Sequence, residues 1–89
     1  MAITVIKPKD EELQNQGVLT WPIWEKEASE FDWYYDSTEE CYLLEGEVTV
    51  TTDEETVTFG KGDFVTFPKG LSCKWKITKD VRKHYNFKD

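Results

Sequence analysis

Between Gly62 and Cys73 the chain reads GDFVTFPKGLSC: a tight turn, an alternating strand, a Pro-x-Gly turn, and the start of another strand. Few folds can use such a segment. A strand held between two glycine-bearing turns must reverse direction at both ends, so its neighbours are antiparallel. The same punctuation recurs at spacings of about 8–12 residues from Val18 onward, which is the pattern of an all-β sandwich or barrel.

Side-chain parity then assigns inward faces. Phe31, Trp33 and Tyr35 share one face. Glu39–Glu45 is followed by an expected turn at Gly46, and Val48 and Val50 sit together in the next strand. Beyond a hairpin tip at Asp53-Glu54, Val57 and Phe59 point inward, and Gly60-Lys61-Gly62-Asp63 turns the chain. Val65 and Phe67 form the next pair, then Leu71, Cys73, Trp75 and Ile77. In the last strand Val81, Lys83, Tyr85 and Phe87 fall on one side and Arg82 and His84 on the other. The apolar set is expected inside, leaving Arg82 and His84 outside or at a subunit contact.

The N-terminal part differs. A short strand over Ala2–Ile6 leads to DEELQNQ, which suits one or two helical turns ended by Gly17. Pro22 interrupts Val18–Trp24 and places it at an edge or bend. The expectation is one domain over 1–89, with a strand and helical turn in 1–17 and an antiparallel β-barrel or flattened jelly roll of eight or nine short strands in 18–89.

Composition excludes several functions. A net charge of −7 opposes a phosphate backbone, so no nucleic-acid partner is expected. There is no apolar run of membrane-spanning length, and MAITVIKPKDEE has no secretory pattern, so no membrane partner is expected and an intracellular place, cytoplasm or organelle stroma, is. Cys41 and Cys73 are too few for a disulfide framework or zinc ribbon and read as reduced thiols, with a mutual disulfide as the alternative. The acidic stretches at 10–12, 36–40 and 53–55 read as solvated loops.

The stretch Phe31–Trp75 resembles a single-domain (RmlC-like) cupin. The resemblance rests on G-x5-P-x-G over Gly62–Gly70 and on the glutamate and glycine pair Glu39 and Gly46, with six residues between them. Trp21-Pro22-Ile23-Trp24-Glu25, Glu40-Cys41-Tyr42, Leu44-Glu45-Gly46, Phe67-Pro68-Lys69-Gly70 and Arg82-Lys83-His84-Tyr85 are similar to the short branch related to the (S)-ureidoglycine aminohydrolase cupins. That resemblance implies a cupin-type barrel with a metal held by histidines and a glutamate. Glu39 matches the glutamate position. The histidine positions carry Trp33, Tyr35 and Cys73, and an indole has no lone pair to offer.

The residual metal candidates are thus Tyr35, Glu39 and Cys73, a phenol–carboxylate–thiol set that suits no common first-row site. No cofactor is expected, with a divalent metal as the alternative. A barrel mouth with these exchanges becomes an aromatic pocket for a small organic ligand, lined by Trp33, Tyr35, Glu39, Cys73 and Trp75. The opposing reading is that the same side chains fill a narrow barrel. Catalytic candidates are Glu39, Tyr35 and Cys73. Among rings, desolvation would raise the Glu39 pKa into general-acid range; the alternative is that Glu39, beside Glu40 at a strand start, is partly solvated or paired with a lysine. His84 could serve Cys73 as a base only from the opposite parity.

Three functional readings stand: a ligand-binding cupin; an enzyme of aminohydrolase or isomerase type using Glu39, with or without a divalent ion; and a structural or partner-binding module. Outward aromatics such as Tyr34 and Tyr42, together with the habit of small cupins, make a homodimer a reasonable expectation.

Overall fold

A computed structural model describes residues 1–88; Asp89, the last residue of the expected barrel, lies outside them. The order is β1 (Thr4–Ile6), α1 (Asp10–Asn15), a 3-10 turn (Val18–Thr20), β2 (Ile23–Lys26), β3 (Ser29–Tyr34), β4 (Glu39–Thr51), β5 (Thr56–Gly60), β6 (Phe64–Phe67) and β7 (Ser72–Phe87).

All pairings are antiparallel. The sheet is organised on its two long strands, β4 and β7, which pair with each other from Glu39↔Phe87 to Thr51↔Lys74. Along its other edge β4 takes β6 near its start and β5 near its end, while β7 takes β3 and then β2. β1 adds to the outside of β6. The long ribbon bends midway, where its register shifts between Leu43 and Val48. Each β-bulge adds local twist and lets a strand turn a corner.

This corrects the expected strand count. Among the described residues, the eight or nine short strands expected from 18 onward become six, β2 to β7, because Gly46 bends β4 instead of ending it and Lys79-Asp80 carries β7 through an expected break. Gly46 has a φ of 108°, and a Cβ there would lie 2.6 Å from the Asp80 carbonyl oxygen and 2.8 Å from Val81 Cα. The turn residues of the local sequence were read correctly as glycine positions. The role of Gly46 depends on Asp80 and Val81 in β7, far along the chain.

Side-chain alternation fills the interior as expected. Val48, Val50, Phe59, Val65, Phe67, Leu71, Trp75 and Ile77 are all buried in one cluster with Cys41 and Leu43. Each fully buried aliphatic or phenyl side chain contributes about 1.5–3 kcal/mol. A second, smaller cluster covers the outer face of the sheet. Leu13 of α1, Val18 and Phe64 are buried there, with Trp21 and Tyr42 packed against them. The N-terminal segment is therefore a strap over the back of the sheet. Tyr42, expected to point outward, lies under it, and so does His84, which is only 6% exposed and has Nδ1 2.9 Å from the Trp21 carbonyl oxygen. No helix among the described residues is long and apolar enough to cross a membrane.

The crease at Gly46 yields a contrast. Gly46→Ala should cost at least about 2 kcal/mol, since both its positive φ and the facing backbone resist a side chain. Gly62→Ala, with φ 87° but open space around it, should lose only about 1–2 kcal/mol. Urea unfolding of the two variants checks this; equal losses would show that the crease accommodates a methyl group.

Candidate functional site

The two turns of the Gly62–Cys73 segment position the site. In the first, the Asp63 carboxylate accepts from the Gly60 amide at 2.8 Å, and the turn is stitched to β4 by Leu43 N–H to the Asp63 carbonyl and Gly62 N–H to the Leu43 carbonyl. In the second, Gly70 N–H donates to the Tyr35 carbonyl at 2.7 Å and Tyr35 N–H to the Leu71 carbonyl at 2.9 Å. Tyr35 is thereby fixed just past the end of β3, its ring stacked on Phe67 with centroids 4.7 Å apart and planes 6° apart.

Above that packed layer lies a cavity of about 210 Å³. Trp24 from β2, Phe31 and Trp33 from β3, Trp75 and Tyr85 from β7 wall it, with Tyr35, Phe87, Glu39 and Lys83. Sequence reasoning left filled core and open pocket as alternatives, and the structure contains both. Phe59 and Phe67 fill the interior, and Trp75 meets both, with centroids 5.8 and 5.6 Å away. The cavity begins where that layer ends. Trp33 and Phe87 are each 50% exposed and form its rim.

The charged part is one ion pair. Lys83 Nζ donates to Glu39 Oε2 at 2.5 Å, and both side chains are 6% exposed. Lys83 stands opposite Leu43 in the β4–β7 ladder while Glu39 stands opposite Phe87, so the long lysine stem runs along the interior to reach the carboxylate. Its ammonium lies 5.0 Å from the Trp24 ring centroid and 4.8 Å from that of Trp75. Two π faces and one carboxylate therefore stabilise the buried cation. Tyr35 Oη accepts from the Trp75 indole N–H at 3.1 Å. Burial, and then the negative charge of Glu39, push the phenol pKa far above its ordinary value, so the hydroxyl keeps its proton.

The structure thus brings Trp33, Tyr35, Glu39 and Trp75 around one space. Cys73 is buried in the same core cluster as Tyr35 and Trp75 but does not line that space. The Cys73 thiol donates to the Trp33 carbonyl at 3.6 Å and borders a separate open groove with Thr51, Asp53 and Lys74. Both cysteines are free and buried, so the disulfide alternative falls. Cys73 and His84 have opposite parity along β7, and His84 is under the N-terminal strap, so no thiol–imidazole pair forms. Sequence reasoning missed Trp24, Phe31, Lys83, Tyr85 and Phe87 as lining residues. The signal for Lys83 was present: a lysine at an inward position between Val81 and Tyr85 requires an acidic partner, and Glu39 is the inward carboxylate.

The donor set left by the resemblance does not fit a divalent ion. Glu39 is engaged by an ammonium, the Tyr35 phenol is held protonated, and Cys73 lies outside the cavity. Among the described residues no three His, Cys, Asp or Glu side chains gather at metal-binding spacing.

A family profile described as an EutQ-like cupin domain matches residues 13–85. The chain belongs to the EutQ-like cupin family. A crystal structure of a DUF861 family protein from Thermotoga maritima is 56% identical, with a TM-score of 0.95, over 98% of this chain and all of that one. A DUF861 protein of unknown function from Pseudomonas syringae is 29% identical, with a TM-score of 0.68, over 74% of this chain and 29% of that one. The EutQ protein of Clostridium difficile shares the fold at 23% identity and a TM-score of 0.67, over 73% of this chain and 52% of its own. No curated protein matches this chain.

Two outcomes follow from the buried groups. Lys83→Met leaves the Glu39 carboxylate unpaired and should cost about 3–5 kcal/mol, whereas the double change Glu39→Leu/Lys83→Met should recover most of that loss. Denaturant melts of the single and double variants test the coupling. Desolvation lifts the Cys41 thiol to about 12 and the Cys73 thiol to about 11, from an ordinary 9.0. A raised folded pKa on an acid means stability that is whole below pH 9 and lost as pH climbs through the folded values. The urea midpoint should therefore hold from this source up to about pH 9 and fall between about pH 9 and 12. The fall should be smaller in Cys41→Ala after correction for its pH 7 stability.

Proposed function

We propose that this cupin binds a small organic molecule in the aromatic cavity, beside the Lys83 ammonium that is paired with Glu39. One observation carries the reading: a small, well-formed barrel keeps about 210 Å³ open beside a buried lysine–carboxylate pair when its other interior positions are filled. A purely structural module of this size gains stability by filling such a space with methyl groups, since each empty volume forfeits contacts. Apolar walls with a few convergent polar groups are the usual makeup of ligand sites.

The resemblance to ureidoglycine aminohydrolase cupins supports a second reading, in which Glu39 shuttles a proton. The Glu39–Lys83 bond favours binding over that reading, because the carboxylate is committed to a cation on the same protein. Tyr35, held protonated, is a hydrogen-bonding wall in this account and not a base.

Trp24, Trp33 and Trp75 border the cavity, so occupancy should alter indole emission. A fragment library of small aromatics, followed by tryptophan fluorescence and thermal shift, should yield compounds that stabilise the fold. Trp33→Ala, at the half-exposed rim, should weaken them about tenfold, or about 1.4 kcal/mol, without unfolding the protein. A library in which no fragment at millimolar concentration changes either signal would overturn the reading.

A further inference from the structure

We infer that the cavity selects uncharged, flat ring compounds that carry a hydrogen-bond donor and an acceptor side by side on one edge, as a primary aromatic amide does. The inference rests on the ligand-binding reading above and specifies its ligand. Four features of the site converge on it.

The floor is polar but electrically balanced. Lys83 contributes one positive charge and Glu39 one negative charge at 2.5 Å separation, both nearly sealed from water. A carboxylate ligand drawn to the ammonium meets the Glu39 carboxylate beside it, and burying its charge without a partner of its own is costly. A cationic ligand is refused for a different reason. The Trp24 and Trp75 faces that would receive it already hold the Lys83 ammonium, at 5.0 and 4.8 Å. A second cation would face like charge at the same seat.

The remaining hydrogen-bonding capacity is complementary and local. An ammonium has three donors and a carboxylate about four acceptor sites, and their mutual bond uses one of each. An edge with one acceptor and one donor meets the ammonium and the carboxylate together. A polyol is a poorer match. Its hydroxyls are spread around the whole ring, and those facing Trp24, Phe31, Trp33 and Trp75 meet ring carbon and lose their hydrogen bonds to water. A flat ring presents carbon to those walls and gains stacking.

Size agrees. A dry cavity of about 150 Å³ accepts benzene, so about 210 Å³ accepts one six-membered ring with a substituent of a few heavy atoms. Two fused rings would have to extend past Trp33 and Phe87 at the rim.

Fluorescence titration of the full chain at pH 7 with benzamide, benzoate, benzylamine, toluene and myo-inositol tests the inference. Benzamide is expected to bind at least tenfold more tightly than benzoate, benzylammonium or myo-inositol. In Glu39→Leu/Lys83→Met, benzamide should lose its advantage over toluene, which reads the edge contact separately from the walls. Benzoate, benzylammonium or myo-inositol binding as tightly as benzamide would overturn the selectivity while leaving the cavity as a ligand site. If toluene and benzamide both fail to bind, the selectivity and the ligand-binding reading fall together.

Discussion

The close approach of β4 and β7 at Gly46 is the constraint on which the molecule depends. These two strands pair along nearly their full length, and every other strand but β1 is hung on one of them. For a single ribbon to enclose a core it must bend, and the bend brings Gly46 so near Asp80 and Val81 that a methyl group has no room. The bulges around that point keep Leu43 and Val48 both inward despite the shift in register. Remove the crease and the strands would run on as a flatter sheet with its apolar side in water.

Inside the folded ribbon, aliphatic side chains and rings pack together and one charge pair breaks the pattern. A buried ion pair seldom adds stability over an apolar replacement of similar volume. Its retention beside an open volume is more informative than its energy. The lysine stem is packed among rings and its ammonium is held by two indole faces and a carboxylate, so the cation is fixed in position as a metal would be. The difference lies in what it can do: an ammonium donates hydrogen bonds and offers no open coordination position.

Much of the fold was legible in the sequence because it is written in local terms. Alternation predicted the inward set from Val48 to Ile77, and the Pro-x-Gly and Gly-x-Gly turns fell where they were expected. What could not be read locally was how strands join. Gly46 looks like a turn residue in sequence and acts as a bend because of Asp80, and the outer strap over Tyr42 and His84 depends on where α1 lands. The site was partly legible. Family positions pointed to Trp33, Tyr35 and Glu39, and parity to Trp75. Cys73 shares the core cluster with Tyr35 and Trp75, and it borders the Thr51–Asp53 groove instead of the cavity. Lys83 was visible at an inward position, but composition-based reasoning treats lysine as solvent-facing and passed over it.

The strap on the back of the sheet has a bearing on what counts as the domain. Leu13, Val18 and Trp21 shield Phe64, Tyr42 and His84, and β1 covers the free edge of β6. A cup trimmed of its first twenty residues would present a greasy reverse side and a bare strand edge at once, the combination that drives chains to stick together. The leading segment therefore belongs to the smallest unit that can stay dispersed in water, and the cup by itself is not an autonomous module.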